Sequence, residues 1–412
     1  MTRGALYQKS GNLMKTQPFS SNIIIAIAIL FLFNPLGGII VAALCACSYK
    51  NDNSIKLLMV LAMMYLCAMN TTKVEENDMI RYIAHFEDVP YNGYLGTLVA
   101  FNHSAAGGVK DAAYGTLVYV LYYLTYGNQY LFIFIVSFLG YWLMFMAIYK
   151  FGKEYKLPNY IIVTQVLILS FFTQYFSMTF HLVRQVLAAC FFFYALTFKE
   201  TSFKKYILWC ILAIATHSSV AFIVAFSFVP MMKRRLKLKE VGALALFAAF
   251  SVVLLSSFAI FVLDTVELEE SLEYSLDRVA NMEGAEDSTK GLQLVGFVLT
   301  AISIVLCLYE REMGKKMIYP IIINLTLLIS FMTFGLSNSP LLQYRFFFYI
   351  YSFLPFVYIT FVRRCKGMAK PICFVTVLFL VIRFYLTYDK VFEYAPIDEV
   401  LTNPYPLLIK LY

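Results

Sequence analysis

The sequence predicts an all-α, polytopic integral membrane protein with short loops. Three observations predict this fold class. Hydrophobic residues make up 61% of the 412 positions and charged residues only 14%, whereas an ordinary soluble domain carries about 25% charged residues. Long apolar runs recur along the chain, and short basic clusters separate many of them. Such clusters lie in the cytoplasmic loops of membrane proteins. We therefore expect about 10–12 transmembrane or half-membrane helices.

The apolar runs define the candidate membrane helices. Crossing the hydrocarbon layer takes about 20 apolar residues, because a lipid-facing backbone must satisfy its own hydrogen bonds within a helix. Several runs are shorter than this or interrupted. We find no repeat of fixed period, so residues 1–412 are expected to form a single membrane domain. The candidate spans are 23–47, 57–70, 130–149, 160–180, 183–198, 241–263, 292–309, 317–336, 345–362 and 371–388.

The charge distribution predicts a bilayer as the partner and no nucleic acid. The formal net charge is +8, but the basic residues are scattered in short clusters and form no broad basic face. By the positive-inside rule these clusters face the cytoplasm, which leaves 71–111, 264–290 and 389–412 as outer loops. The clusters are Lys150/Lys153/Lys156, Lys199/Lys204/Lys205, Lys233/Arg234/Arg235/Lys237/Lys239, Arg311/Lys315/Lys316 and Arg363/Arg364/Lys366/Lys370.

The cysteines predict no metal centre and no disulfide framework. The chain has 8 cysteines, and none lies in the acidic outer segments or in a CxxC spacing. Disulfide frameworks and metal sites both require such groupings. The outward-facing acidic residues also form no clustered triad of the kind that holds Mg²⁺. We expect no metal and no cofactor.

Three apolar stretches have features that predict irregular structure. Asn34-Pro35 interrupts 23–47 and offers a point at which the first stretch breaks. Residues 206–230 lie between two basic clusters that are both expected in the cytoplasm, but they are too few for two full crossings. This predicts a broken hairpin that turns near 216–219. The alternative is one span that departs from the positive-inside rule. The tyrosine-rich stretch 112–126 is expected at the outer interface or partway into the membrane.

Isolated charges near the ends of apolar runs are the first candidates for function, because a charge at the membrane is costly and usually has a partner or a role. Arg184 follows His181 at the outer end of one run, His217 lies at the expected turn of the broken hairpin, and Arg345 opens a later run. The charge pattern places all three near one leaflet.

These residue types suit a lipid that carries a diphosphate. The planar fork of arginine binds two oxygens of one phosphate and keeps its charge at any accessible pH. Two arginines beside a histidine therefore predict a diphosphate head-group site. The alternative is that Arg184 and Arg345 pair with carboxylates or extend to the interface, and that His217 has only a structural role.

The first outer loop contributes further candidates. If 76–86 is helical, Asp78 and Tyr82 lie one turn apart, and so do Arg81 and His85. This arrangement places an acid and a base on neighbouring faces. A carboxylate in a loop is more often simply solvated, so Asp78 is the weaker candidate for a catalytic base.

The order and spacing of these motifs resemble the EpsG-like group of Wzy-type bacterial polysaccharide polymerases. Asp78-x-x-x-Tyr82 resembles the aspartate-tyrosine element of that group's first outer loop. The segment 181–188, followed by Lys204-Lys205 and then by 215–218 with His217, resembles its long central element. The later arginine-aromatic-proline helix is matched by Arg345-Phe-Phe-Phe-Tyr349 with Pro355, and the Pro-Tyr ending by Asn403-Pro-Tyr405.

Only the central element is specific to the group. One departure lies upstream of Asp78, where this chain has Lys73 and many members carry an arginine. Arg81 is the candidate to replace that charge.

The resemblance implies a membrane glycosyltransferase that joins oligosaccharide repeat units, carried on undecaprenyl diphosphate, into O-antigen, capsule or exopolysaccharide. It places the active site on the outer face of the bacterial cytoplasmic (inner) membrane, and a chain-length regulator is a candidate partner. Arg184 and Arg345 would bind the diphosphate, while His217, or Asp78, would accept the proton of the attacking hydroxyl. The expected substrate-binding residues are Gln185, Arg81, Tyr82, His181 and Tyr349.

Two other functions fit the same composition. A lipid-linked oligosaccharide flippase would also contain broken helices, although it should show a repeat between its halves and polar groups near the midplane. An O-antigen ligase would also expel a polyprenyl phosphate and need outward positive charge. A purely structural membrane protein is the remaining alternative.

Overall fold

The computed structural model describes residues 20–49, 51–71, 78–100, 111–265, 298–306, 319–336, 340–365 and 367–391. These residues form helices and turns and contain no strand, which confirms the all-α fold class. Short 3-10 turns occur at Ser218–Val220 and Pro230–Lys233. The helices are α1 Ser21–Phe33, α2 Pro35–Ser48, α3 Asp52–Thr71, α4 Asp78–Glu87, α5 Val89–Ala100, α6 Ala112–Leu124, α7 Gln129–Glu154, α8 Asn159–Phe171, α9 Thr173–His181, α10 Val183–Leu196, α11 Phe203–Thr216, α12 Ala221–Ser227, α13 Leu238–Thr265, α14 298–306, α15 Pro320–Gly335, α16 Pro340–Val362 and α17 Ala369–Val391.

Four helical stretches within the described part of the chain are long and apolar enough to cross a membrane. They are Asp52–Thr71, Gln129–Glu154, Arg345–Val362 and Ala369–Thr387. The candidate span 160–180 consists of α8 and α9, which together are long and apolar enough to cross a membrane but are bent by 57° between them. Phe172 lies at the bend in an extended conformation, which interrupts the backbone hydrogen bonds of a continuous helix.

The first apolar stretch, 23–47, forms two helices, α1 and α2, instead of one continuous span. Asn34 is extended and its side-chain oxygen accepts a hydrogen bond from the Gly37 N–H at 2.8 Å, while Pro35 occupies the first turn of α2. Asparagine at the N-cap and proline at the first helical position both favour a new helix at this point. The break suggested by Asn34-Pro35 is therefore confirmed, and α2 folds back against α1.

The predicted outer loop 71–111 contains two helices, α4 and α5. In α4 the buried residues Met79, Tyr82, Ile83 and Phe86 recur at the spacing of one helix face, which is the pattern of an amphipathic helix packed on a core. The helical condition posed for 76–86 is met from Asp78 onward, since α4 spans Asp78–Glu87. The rest of the loop at 72–77 and 101–110, and most of the other two loops, lies outside the described residues.

The stretch 206–230 is a broken hairpin, as the charge pattern predicted. Helix α11 ends at Thr216, His217 is extended, and a 3-10 turn leads into α12. The chain then returns toward its starting point, since the Ser227 hydroxyl at the end of α12 bonds with the Tyr206 hydroxyl near the start of α11. The alternative of one continuous span is not observed.

Helix α10 lies at the centre of the described bundle, between α7 and α11. All of its residues are buried except Arg184. A helix that is apolar on every side belongs in the interior of a protein, and aromatic packing such as Phe193 against Phe353, with ring centroids 4.8 Å apart, holds it there. The one partly exposed side chain of this central helix is therefore a charged one.

Candidate functional site

The candidate site is organised around the carboxylate of Asp111, the residue that precedes α6. Its Oδ2 accepts a hydrogen bond from Arg184 Nη1 at 2.8 Å, and its Oδ1 accepts one from the Ser218 N–H at 3.3 Å. His217 Nδ1 lies 3.3 Å from Oδ2. Only 1% of the Asp111 side chain is exposed. The carboxylate thus joins α6, the first turn of α10 and the break after α11.

The backbone of Asp111 is in the left-handed region, with φ 58° and ψ 37°. Aspartate tolerates this conformation better than most residues. An aspartate at the start of a helix commonly caps that helix, but the Asp111 side chain makes no capping bond to α6. Its acceptor atoms are used instead by residues more than 70 positions later in the chain.

Arg184 is held on two sides. Besides the ion pair with Asp111, its Nε donates to the Tyr82 hydroxyl at 3.4 Å, and its guanidinium lies 5.5 Å from the centre of the Tyr82 ring. Tyr82 in turn packs edge-on against Tyr114, with centroids 5.8 Å apart. One quarter of the Arg184 side chain remains exposed. The guanidinium is therefore fixed in direction, on a side chain that is still partly exposed.

His217 occupies the non-helical break between α11 and the 3-10 turn, with 17% of its side chain exposed. Burial lowers the pKa of this histidine, and the charges of Arg184 and Arg345 lower it further. The hydrogen bond and the charge of Asp111 act in the opposite direction, but the pKa remains below 6.5. The ring is thus neutral near pH 7 and able to accept a proton.

Arg345 and Tyr349 connect α16 to the same site. The side-chain amide of Gln185 donates to the Arg345 carbonyl at 2.6 Å, and the Tyr349 hydroxyl bonds to the Ser219 hydroxyl at 2.8 Å. Arg345 is partly buried, and its charge acts on His217. One turn of α16 therefore contacts both the start of α10 and the break in the hairpin.

The structure brings together most of the residues singled out from the sequence, but not all. Arg184, His217 and Arg345 share one cluster, with Gln185, Tyr82 and Tyr349 in its wall. Arg81 is exposed on α4, and His181 ends α9, where its ring meets Phe180 edge-on. Asp78 begins α4, but its side chain, like Lys73 and the segment 403–405, lies outside the described residues.

Sequence reasoning missed Asp111. The signal available was a single carboxylate directly before an apolar run, in a loop expected to face the same side as an isolated arginine in another run. Such charges usually have partners. An aspartate at that position is also the ordinary N-terminal residue of a helix, so the sequence offered no reason to pair it with Arg184. The alternative that Arg184 pairs with a carboxylate is realised in the structure.

The cluster can bind an anion beside a proton acceptor. With Asp111 ionised and His217 neutral, Arg184 and Arg345 contribute more positive charge to these four residues than Asp111 contributes negative charge. Burial raises the pKa of Asp111, but the hydrogen bond with His217, the charge of that ring when it is protonated at low pH, the charge of Arg184 and the Ser218 N–H together lower the pKa. Among the described residues there is no group of His, Cys, Asp and Glu that could hold a metal ion.

The chain is similar to a known protein family. The model of the EpsG family matches residues 56–397, which is most of the chain and includes every residue of the cluster. The comparisons with curated proteins and with solved structures found no match.

Proposed function

Because this chain belongs to the EpsG family of Wzy-like polysaccharide polymerases, we propose that it joins oligosaccharide repeat units carried on undecaprenyl diphosphate. The family membership confirms the resemblance seen in the sequence. The products in this proposal are O-antigen, capsular or exopolysaccharide chains. The observation that carries the proposal is that Arg184 and His217 share one buried carboxylate, while Arg345 lies near enough for its charge to act on His217.

The proposed reaction is a glycosyl transfer. A sugar hydroxyl of one lipid-linked unit attacks the anomeric carbon of the growing chain, and a new carbon–oxygen bond forms there. The bond between that carbon and the diphosphate breaks, and its electron pair leaves with undecaprenyl diphosphate. His217 accepts the proton from the attacking hydroxyl and later releases it to solvent. No oxidant or reductant is required.

The two arginines have the chemistry that this leaving group needs. A departing diphosphate gains negative charge as its bond to carbon breaks, so fixed donors aimed at it stabilise the transition state more than the ground state. Guanidinium groups provide such donors in a fork that matches phosphate oxygens. In this proposal Arg184 and Arg345 bind the diphosphate. Gln185, Tyr82 and Tyr349 line the site and position its residues through their hydrogen bonds.

The proposed location is the outer face of the bacterial cytoplasmic membrane. Arg184 lies at the first turn of α10, whose far end at Leu196 precedes the cluster of Lys199, Lys204 and Lys205. Helix α11 contains Lys204 and Lys205 in its first turn and ends at Thr216, directly before His217. At about 1.5 Å per residue these helices separate the site from the basic cluster by roughly 20 Å. The positive-inside rule then favours an outward site.

Purified protein in detergent tests this proposal. We expect it to convert a single lipid-linked repeat unit into a ladder of longer lipid-linked chains, separated by gel or mass spectrometry. A flippase produces no new bond in detergent, where there are no two compartments. An O-antigen ligase would transfer the unit to an added lipid-core acceptor without lengthening it. The proposal is overturned if folded protein yields no ladder under conditions in which an authentic polymerase does.

A further inference from the structure

We propose that Asp111 is a positioning residue for the polymerase reaction: it holds the Nδ1 side of His217 so that Nε2 is the atom that accepts the proton of the attacking hydroxyl. This inference rests on the proposed function for its kinetic consequence. The tautomer of His217 that it requires can be observed without any assay of polymerisation.

The tautomer follows from the donors and acceptors at the carboxylate. An ionised aspartate only accepts hydrogen bonds, so in the contact between His217 Nδ1 and Asp111 Oδ2 the hydrogen lies on Nδ1. A neutral imidazole carries one N–H, which leaves Nε2 with its lone pair available. The pattern is a carboxylate that orients a histidine base from behind.

The carboxylate is itself fixed by groups from different elements. Arg184 at the start of α10 and the backbone N–H of Ser218 both donate to it, and its side chain is almost fully buried. A buried charge is tolerated only with such partners. The backbone of Asp111 is left-handed, and its side chain makes no capping bond to α6. The carboxylate is therefore used by Arg184, His217 and Ser218 and not by its own helix.

The charges that act on the pKa of His217 are consistent with a hydrogen bond between His217 and Asp111. The charged groups acting on His217 are Asp111 before α6, Arg184 on α10 and Arg345 on α16. The two arginines lower the pKa of His217, and Asp111 is the one of the three that raises it. Tyr82 on α4 contacts Arg184, Tyr114 on α6 interacts electrostatically with Arg184 and Asp111, and Tyr349 on α16 reaches the break through Ser219. Removing the carboxylate therefore lowers the pKa of His217.

The first experiment compares Asp111→Asn with Asp88→Asn in purified protein. Asp88 is an exposed residue at the turn between α4 and α5, so its variant controls for loss of a carboxylate. An asparagine amide can donate to Nδ1, which would place the hydrogen of His217 on Nε2. We expect kcat to fall by about 10²–10⁴-fold in Asp111→Asn. Because the pKa of His217 is lower in this variant, the remaining activity of the variant should extend to lower pH than the activity of the wild type. Asp88→Asn should match the wild type in both.

The second experiment observes the tautomer in wild-type protein. The chain has 4 histidines, so ¹⁵N-histidine labelling gives a small set of ring signals, and the His217 pair is assigned by its loss in His217→Gln. We expect the Nδ1–H form near pH 7.5. An Nε2–H form in the wild type overturns the inference, and so does an Asp111→Asn enzyme with the rate and pH profile of the wild type. If instead the wild-type protein fails to elongate lipid-linked units at all, the proposed function is wrong, and the ¹⁵N spectrum still tests the position of the proton.

Discussion

Arg184 and Asp111 form an ion pair of 2.8 Å between side chains that are 73 positions apart in the chain. The pair connects the only residue of α10 that is not buried to a carboxylate that is almost fully buried. Because the same carboxylate lies beside His217, a change in either arginine or aspartate alters the surroundings of the histidine. The three residues act as one unit, and single substitutions are not expected to have additive effects.

Replacement of Arg345 by alanine is expected to abolish long chains while leaving an inserted, folded protein. Loss of one donor to a developing anion costs about 10²–10³-fold in kcat. Chain length by gel and turnover in detergent are the measurements. Arg363→Ala is the matched control, since Arg363 is exposed just after the other end of α16. Equal chain lengths in Arg345→Ala, Arg363→Ala and wild type would remove Arg345 from the diphosphate site.

Lysine should replace Arg184 poorly. Its ammonium keeps the charge, but it lacks the fork that reaches Asp111 through Nη1 and Tyr82 through Nε. We expect Arg184→Lys to recover only a small part of the activity lost in Arg184→Ala, measured as the rate of lipid-linked ladder formation. Recovery to the wild-type rate would show that charge alone is sufficient at this position and that two-point binding is not used.

Activity should depend on the protonation of His217. Its pKa lies below 6.5, so the ring is neutral above that pH and becomes charged as the pH falls through the lowered value. We expect the elongation rate to be constant near neutral pH and to decline at more acidic pH as the base is lost. His217→Gln should reduce turnover by about 10²–10⁴-fold and abolish this acidic limb. A glutamine variant with normal turnover would exclude proton transfer at His217.

Much of the fold was predictable because the bilayer constrains composition strongly. Apolar length and basic clusters identified most helices, and Asn34-Pro35 and the short segment around His217 identified two breaks. The bend at Phe172 has no proline or glycine to signal it. The helix α4 follows a periodic pattern of buried residues, but the segment around it is polar enough to suggest a loop.

The candidate site was predictable only in part. Arg184, His217 and Arg345 stand out because each is a titratable or charged residue at the edge of an apolar run. Asp111 does not, because aspartate before a helix is ordinary and its left-handed backbone is not encoded in a recognisable motif. The pairing of Asp111 with Arg184 depends on how α6 packs against α11 and so brings Asp111 to the start of α10. Local sequence patterns do not specify such a tertiary arrangement.

The hairpin of α1 and α2 should be sensitive to the size of residue 38. A Cβ atom added at Gly38 would lie 2.6 Å from the Cα of Phe31, and backbone at that distance must move. We expect Gly38→Ala to destabilise the protein by about 1–3 kcal/mol, seen as a lower midpoint of thermal unfolding in detergent. Gly242→Ala in α13 is the control, because a Cβ there meets nothing within 4 Å. Equal midpoints for both variants would contradict the close packing of the hairpin.

A structure of the protein bound to undecaprenyl diphosphate would test the central claim most directly. We expect phosphate oxygens within about 2.7–3.2 Å of guanidinium nitrogens of both Arg184 and Arg345. The His217 ring should lie beside the terminal phosphate, which carries the sugar in the lipid-linked substrate. A diphosphate bound away from these residues, for example at the lysine cluster beyond the far end of α10, would contradict the account.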